Sequence, residues 1–244
     1  MNDTVAARVS QVEERIEAAC RRSGRKRGEI RLMAVTKFHE TGAIEEAWNA
    51  GIRLFGENRV QEAVKKYAGF WDTHTKRGGE GLHLIGSLQR NKAKTAAAFF
   101  DCVQSVDRDS LIDELGILTA GRECPLMIML EYHTGEESKA GYPDRDSLYR
   151  AAEKLLSYPG LRPAGLMTMA PFTDNSRLIR SSFRELSEAC AELDKRFPPD
   201  KAGGSANGGW SCLSMGMTND FEIAIEEGST LIRIGTAIFG ERVI

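Results

Sequence analysis

The chain has 244 residues, of which 41% are hydrophobic and 28% are charged, with a formal net charge of -2 and a pI near 6.2. This composition is typical of a soluble globular protein, and the balanced charge gives no reason to expect nucleic acid or an anionic membrane as a partner. The five cysteines form no C-x-x-C pair, so no disulfide framework is expected. The first residues lack the apolar core of a signal peptide and no later stretch could span a bilayer, which predicts a cytoplasmic protein.

The first element predicted in chain order is an amphipathic helix over residues 3 to 22. Its apolar positions recur at spacings of three and four, at Val5, Val9, Val12, Ile16 and Cys20. Such a stripe predicts a helix that packs one face against the rest of the protein, here within an N-terminal segment of residues 1–28. A helix that binds a partner is the alternative.

After this helix, short apolar runs alternate with amphipathic stretches. The runs predict strands at 32–35, 53–56, 83–86, 102–105, 125–131, 161–167, 212–214 and 231–234. The stretches between them predict helices at 43–50, 58–67, 90–99, 108–119, 146–156, 176–197 and 220–226. Eight such alternations favour one (β/α)8 TIM-like barrel over residues 1–244, with the extra N-terminal helix. Because the second, fourth and seventh runs are short, an open sheet of seven strands is the alternative.

Two segments interrupt the alternation. The polar loop 132–144 follows the fifth strand, on the side where barrels keep their active sites. Residues 198–210 are rich in Pro, Gly and Ser and are interpreted as a flexible surface loop, not as a linker between domains.

A single lysine, Lys37, follows the first predicted strand in the sequence AVTKFHE. An amine at the exit of a buried strand can be partly desolvated, which lowers its pKa and makes it a nucleophile or a Schiff-base former. A solvated lysine at the end of a strand is the alternative interpretation.

The loops after the seventh and eighth strands suit an anion. Barrel enzymes often bind phosphate in these two loops, through backbone N–H groups and small polar residues. Small residues that allow close approach or offer hydroxyl groups occur here at Ser214, Gly216, Gly235 and Thr236. The sequence therefore predicts a phosphate site at this end of the barrel, although each residue could also serve only to turn the chain.

Arg233 interrupts an apolar strand, where an unpaired charge would be costly. We therefore expect a ligand atom or a buried carboxylate to meet it, with Glu222 as the structural candidate; Asp220 is expected to be a helix N-cap. In a closed barrel the first and eighth strands are neighbours, so Lys37 would face the phosphate loops. A lysine across one small ring from a phosphate site suits pyridoxal 5'-phosphate held as a Schiff base. An arginine beside the pyridine nitrogen would keep that nitrogen unprotonated, which favours binding over strong carbanion chemistry.

Motifs along the whole chain carry a family resemblance. They are AVTKFHE (34–40), LFGENRVQEAVKK (54–66), HLIGSLQRNKAK (83–94), QSVD (104–107), GEESKAGY (135–142), GLMTMAP (165–171), LSMGMTNDFEIAI (213–225) and RIGTAIFGER (233–242). In these the chain resembles the pyridoxal phosphate homeostasis proteins, single-domain relatives of the alanine racemase barrel. It departs from the family pattern at 131–135 and in the glycine-rich stretch 203–209.

The resemblance implies a cofactor site made of named residues. It implies pyridoxal 5'-phosphate on Lys37, the phosphate on Ser214, Met215, Gly235 and Thr236, the pyridine nitrogen near Arg233, and the ring near Asn58. His83 and Ser87 are further candidates, although His83 could equally be a core histidine bonded to a neighbour. No metal site is expected, because the four histidines lack the spacing of zinc ligands.

The implied role is handling of pyridoxal phosphate without robust turnover, by a monomer that could pass the cofactor to apo forms of pyridoxal-phosphate enzymes. A weak amino-acid racemase is the first alternative; it needs a second base opposite Lys37, with Tyr132, His133 and His83 as candidates. A scaffold protein that docks partners through the N-terminal helix is the second.

Overall fold

In a computed structural model, described over residues 4–74, 81–135, 140–198 and 209–241, the chain forms a closed parallel barrel of eight strands. Each strand pairs with the next in sequence, and the eighth closes on the first through pairs such as Met33 with Arg233. The strands are β1 Arg31–Val35, β2 Leu54–Glu57, β3 Gly81–Leu84, β4 Cys102–Val106, β5 Leu126–Glu131, β6 Leu161–Met167, β7 Cys212–Ser214 and β8 Leu231–Ile234. The (β/α)8 prediction is confirmed, and the open-sheet alternative is wrong.

The helices that surround this barrel follow the predicted order. They are α1 Val5–Ser23, α2 Thr41–Asn49, α3 Val60–Tyr67, α4 Phe70–Thr73, α5 Ala93–Phe99, α6 Asp109–Thr119, α7 Arg145–Leu156, α8 Ser176–Arg196, α9 Phe221–Glu226 and α10 Thr236–Phe239, with short 3-10 turns at Arg27–Glu29 and Arg90–Lys92. The sequence did not indicate α4 or α10, each of which is a single turn. None of the described helices is long and apolar enough to cross a membrane.

The third strand begins earlier than its apolar run suggests. The apolar run predicts a start at His83, but the strand begins at Gly81, because Gly81 and Leu82 pair with Leu54 and Phe55 of β2. A Cβ on Gly81 would lie 2.7 Å from the Asp101 Oδ2 atom. The glycine therefore marks a close packing contact in a strand and not the turn that glycine usually indicates.

The N-terminal helix packs against the outside of the barrel, as predicted. Its apolar stripe is buried, with Ile16 fully inaccessible, and α1 contacts α2, α9 and α10. The Thr4 hydroxyl caps the helix by accepting the Ala7 N–H at 3.2 Å, and Gly24 ends it in the left-handed conformation at φ 68°. This helix covers the helices that flank β8 and β1.

Side chains of the described residues fill the interior of the barrel, which leaves the ends of the barrel for a ligand. A cluster that includes Met33, Leu54, Cys102, Met129 and Leu231 occupies the centre. A packed barrel core of this kind leaves functional groups to the loops at the carboxyl ends of the strands.

The two interrupting loops lie partly outside the described residues: 136–139 of the first loop, and 199–208 of the loop predicted to be flexible. The end of the second loop differs from the prediction. Trp210 is only 1% exposed, and its carbonyl accepts a bond from the Cys190 thiol. The chain is therefore anchored in the core just before β7.

Candidate functional site

A cavity of about 390 Å³ opens at the carboxyl ends of the strands. Its wall comes from the segments that follow β1, β2, β3, β6, β7 and β8, and its polar residues are Lys37, Asn58, Thr218, Asn219, Asp220, Arg233 and Thr236. Its apolar wall includes Val35, Ile85, Met167, Met169 and Met217. A concave, mainly apolar cavity with a few convergent polar groups is the usual form of a cofactor site.

Lys37 enters this cavity from the end of β1. The strand stops at Val35, and the Thr36 N–H donates to the Gly56 carbonyl at 3.1 Å, which extends the pairing with β2 by one residue. The side chain of Lys37, the residue after Thr36, is half-buried and lies in the cavity wall. The structure therefore brings the predicted amine to the predicted end of the barrel.

Asn58 contributes a buried acceptor without a partner. Its Oδ1 atom is buried and has no hydrogen-bond partner among the described residues. Gly86 packs against its backbone so closely that a Cβ there would lie 2.4 Å from the Asn58 carbonyl oxygen. Because buried amide oxygens in native proteins are nearly always bonded, this atom points to a ligand with a hydrogen-bond donor.

Arg233 is held by neutral oxygen atoms. Its guanidinium donates to the Ser214 carbonyl and hydroxyl, both at 2.7 Å, and to the Thr168 carbonyl at 2.8 Å. The alternative of a structural pairing with Glu222 is wrong, because that carboxylate lies at the surface, 3.0 Å from Arg15. Burial lowers the pKa of Arg233 to about 10, although nearby Asp220 and Glu131 oppose this effect.

The loop after β7 places different residues in the cavity from those predicted. Gly216 turns the chain at φ 96°, and a Cβ there would lie 2.6 Å from that of Ala224. The Met217 N–H donates to the Asp220 Oδ1 atom at 2.6 Å, so this carboxylate closes the loop. Asp220 takes the predicted N-cap position of α9, but its side chain makes no capping bond to that helix. Met217 and Thr218 consequently reach the cavity wall, and Thr218 Oγ1 accepts the Ala237 N–H at 3.4 Å.

Ser214 and Met215 lie below the cavity wall. Both are fully buried. The Ser214 hydroxyl donates to the Gln104 Oε1 atom at 2.6 Å, and the Met215 N–H donates to the Leu231 carbonyl at 3.1 Å. Their polar groups are therefore engaged within the protein, whereas Gly235 and Thr236, predicted with them, do line the cavity.

Of the two interpretations that the sequence offers for His83, the structure agrees with the core histidine. It is 4% exposed, and its Nδ1 atom lies 2.8 Å from the Gln104 Nε2 atom. Gln104 in turn accepts from Ser214, which accepts from Arg233. A chain of hydrogen bonds thus crosses the barrel from β3 through β4 and β7 to β8, and fixes the arginine from below. Ser87 lines a neighbouring polar groove that shares Asn58 with the cavity.

The two candidate bases on the loop after β5 are absent from the described cavity wall. The Tyr132 hydroxyl donates to Glu185 on α8 at 3.0 Å, and burial with this carboxylate raises the pKa of Tyr132 to about 12. The His133 N–H donates to the Tyr142 carbonyl at 3.0 Å, and the described cavity wall includes neither Tyr132 nor His133. No cluster of metal-ligating side chains occurs in the described ranges.

Glu131, at the end of β5, is a buried acid that sequence analysis did not single out. It is 4% exposed, and burial raises its pKa to about 7, with Asp107 raising it further and Arg233 lowering it. The folded protein thus binds a proton here that the unfolded chain releases near its ordinary value. The stabilisation of the folded state by this proton is fully present below the pKa that Glu131 has in the unfolded chain. It is lost as the pH rises through about 7.

We therefore expect Glu131→Gln to flatten the dependence of stability on pH. Wild-type protein should lose about 2.5 kcal/mol of unfolding free energy between about pH 5 and pH 8 through this group, and the variant should lose much less. Urea denaturation at intermediate pH values measures the difference, with exposed Glu123→Gln as the control. Parallel profiles for wild type and Glu131→Gln would contradict the assignment.

Comparison with known proteins identifies the family. The model of the alanine racemase N-terminal domain matches residues 8–243. The pyridoxal phosphate homeostasis protein of Aquifex aeolicus is 37% identical over 235 residues, covering 96% of this chain and 97% of the relative. That of Escherichia coli K12 is 37% identical over 245 residues, covering 99% of this chain and 98% of the relative.

Solved structures agree with this assignment. PipY of Synechococcus elongatus PCC7942, with PLP bound, is 32% identical, has a TM-score of 0.80, and the match covers 97% of this chain and 100% of PipY. Alanine racemase from E. faecalis shares the fold at a TM-score of 0.67 and 15% identity, and the match covers 98% of this chain and 59% of the racemase. The chain belongs to the pyridoxal phosphate homeostasis protein family.

Proposed function

We propose that this protein binds pyridoxal 5'-phosphate as a Schiff base on Lys37 and serves cofactor homeostasis, without robust turnover. The observation that carries the proposal is the set of groups that converge on one cavity. They are a primary amine at Lys37, a fixed cation at Arg233, the hydroxyls of Thr218 and Thr236, and the unpartnered Oδ1 atom of Asn58. In that order, these groups match an aldehyde, a pyridine ring, a phosphate and a phenolic hydroxyl group.

Different residues of the chain would bind different parts of the cofactor. Thr218 and Thr236, with the small residue Gly235 beside them, would hold the phosphate. Arg233 would donate to the pyridine nitrogen, and the Asn58 amide would accept from the ring hydroxyl. Ser214, assigned to the phosphate by the resemblance, would act from below by orienting Arg233.

The bound cofactor would supply a reactive aldehyde, and the protein determines how far its chemistry goes. A cation that cannot easily release a proton keeps the pyridine nitrogen unprotonated, which weakens the ring as an electron sink. Apo forms of pyridoxal-phosphate enzymes are the proposed acceptors of the cofactor, with this protein acting as a monomer.

The racemase alternative has weaker support. It requires a second base on the face of the ring opposite Lys37. Tyr132 is bonded to Glu185 and His83 to Gln104, and the described cavity wall contains neither of them nor His133. Deuterium exchange at the α-carbon of D- and L-amino acids tests this alternative, with free pyridoxal phosphate as the reference rate.

The proposed cofactor is tested by absorption spectroscopy of the purified protein. Added pyridoxal phosphate should give a visible band that borohydride bleaches, and peptide mapping should find the reduced adduct on Lys37. Pyridoxamine phosphate, which lacks the aldehyde, should give no reducible adduct. Failure of the protein to take up pyridoxal phosphate would overturn the assignment.

A further inference from the structure

The turn that presents Lys37 has an unusual backbone. Phe38, the next residue, has φ +67°, in the left-handed region that non-glycine residues seldom adopt. The His39 N–H closes the turn by donating to the Thr36 carbonyl at 3.1 Å. A strained conformation of this kind persists only where the surrounding structure holds it.

Two side chains of α3 hold this turn on both sides of Lys37. The Lys66 ammonium donates to the Thr36 carbonyl at 2.6 Å and to the Glu62 Oε1 atom at 2.8 Å. The same Glu62 oxygen accepts the Phe38 N–H at 2.5 Å. The backbone groups immediately before and after Lys37 are therefore bonded to one ion pair.

A second carboxylate fixes the pair from inside the protein. Glu57, at the end of β2, is fully buried, and its Oε1 atom lies 2.6 Å from the Lys66 ammonium. The same Glu57 oxygen accepts the Thr36 hydroxyl at 2.7 Å, and that hydroxyl also lies 2.7 Å from the Tyr67 hydroxyl. Lys66 is itself only 7% exposed, so the cation cannot leave this position without leaving two acids behind.

We propose that Glu57, Glu62 and Lys66 are positioning residues for Lys37, which hold its backbone so that the amine faces the cavity. None of the three lines that cavity. The inference rests on the proposed function, because it concerns the reaction of Lys37 with pyridoxal phosphate. It predicts that the rate and retention of the adduct depend on residues that do not touch the cofactor.

The first test is kinetic. In Glu62→Ala and in Lys66→Met, formation of the borohydride-reducible adduct on Lys37 should slow by about tenfold or more, since displacement of a reacting group by about 1 Å has effects of this size. Lys65→Met and Glu46→Ala are matched controls on exposed sites, and both should react at the wild-type rate. Lys66→Arg should recover part of the rate.

The second test needs no cofactor. Hydrogen exchange of the Phe38 and His39 amides in the apo protein should accelerate by about tenfold in Glu62→Ala, because the acceptor of one of them is removed. If Lys66→Met fails to fold because Glu57 is left unpaired, the double variant Glu57→Gln/Lys66→Met replaces it.

The outcomes separate the two proposals. A wild-type protein that forms no adduct on Lys37 overturns the proposed function, while the exchange experiment still reports on the turn. Adduct formation at the wild-type rate in Glu62→Ala and in Lys66→Met or its double variant overturns the positioning role. Faster amide exchange with unchanged adduct kinetics also overturns it, since the contacts would then serve stability alone.

Discussion

Replacing Lys37 with alanine is expected to eliminate the borohydride-reducible adduct completely while leaving the fold intact. The amine is the one predicted nucleophile in the described cavity wall, and no other lysine lines it. The side chain is half-buried at the end of β1, and its removal leaves the bonds of Thr36 and Phe38 to α3 in place. Thermal unfolding should therefore stay close to wild type, while the visible band is lost.

The remaining affinity of Lys37→Ala reports on the non-covalent contacts. Thr218, Thr236, Arg233 and Asn58 are untouched by the change, so weak and rapidly reversible binding should persist, which equilibrium dialysis can measure. Lys37→Arg keeps the charge without a nucleophilic amine and should behave like the alanine variant. Lys65→Ala, on the exposed face of α3, is the control. An adduct that moves to another lysine with wild-type retention would contradict the role of Lys37.

The positions of Lys37 and Arg233 could be predicted because they depend on local pattern and on barrel topology alone. An apolar run that ends in one cation marks the carboxyl end of a strand, and closure of the barrel makes β1 and β8 neighbours. Gly235 and Thr236 follow β8 directly, so the same reasoning places them correctly.

The wall formed by Met217 and Thr218 could not be predicted in this way. Ser214 ends β7, and pattern alone suggests that the first hydroxyl after a strand faces the ligand. The chain then reverses at Gly216, and the bond from the Met217 N–H to Asp220 raises the following residues to the cavity. In retrospect, a glycine four residues before an aspartate is the signal for this loop. Only the backbone conformation, however, shows which hydroxyl lies in the cavity wall.

The bonds that link His83, Gln104, Ser214 and Arg233 were also out of reach of sequence reasoning. They join residues of four strands, and the bond between Gln104 and Ser214 alone spans 110 positions of the sequence. Whether a polar residue in a strand faces into a barrel depends on register, and register shifts interrupt the pairing of β4 with β5 and of β5 with β6. Prediction from pattern therefore finds the polar residues but not their partners.

Arg233→Met is expected to weaken both cofactor retention and the fold, with the loss of stability larger at pH 8 than at pH 6. At pH 8 Glu131 is mainly ionised in the folded protein, and it and Asp220 would lose their buried cation. Breaking a buried arrangement of charges by removing one partner costs about 3–5 kcal/mol. Burial already lowers the pKa of Arg233 to about 10, so removal of its desolvation penalty offsets part of this loss.

At pH 6 Glu131 is largely protonated, so the variant should lose less than at pH 8. The Thr168 and Ser214 oxygens still lose a charged donor, each at about 1–3 kcal/mol. Urea denaturation at both pH values compares the apo forms of wild type, Arg233→Met, Glu131→Gln and the double variant. In this double-mutant cycle, Glu131→Gln should recover stability for Arg233→Met only at the higher pH. Equal losses at both pH values would show that the charge of Glu131 does not contribute to the effect of Arg233. A pH-dependent loss, with cofactor release faster at both values, would establish that the cation proposed to orient the cofactor also keeps Glu131 compatible with burial.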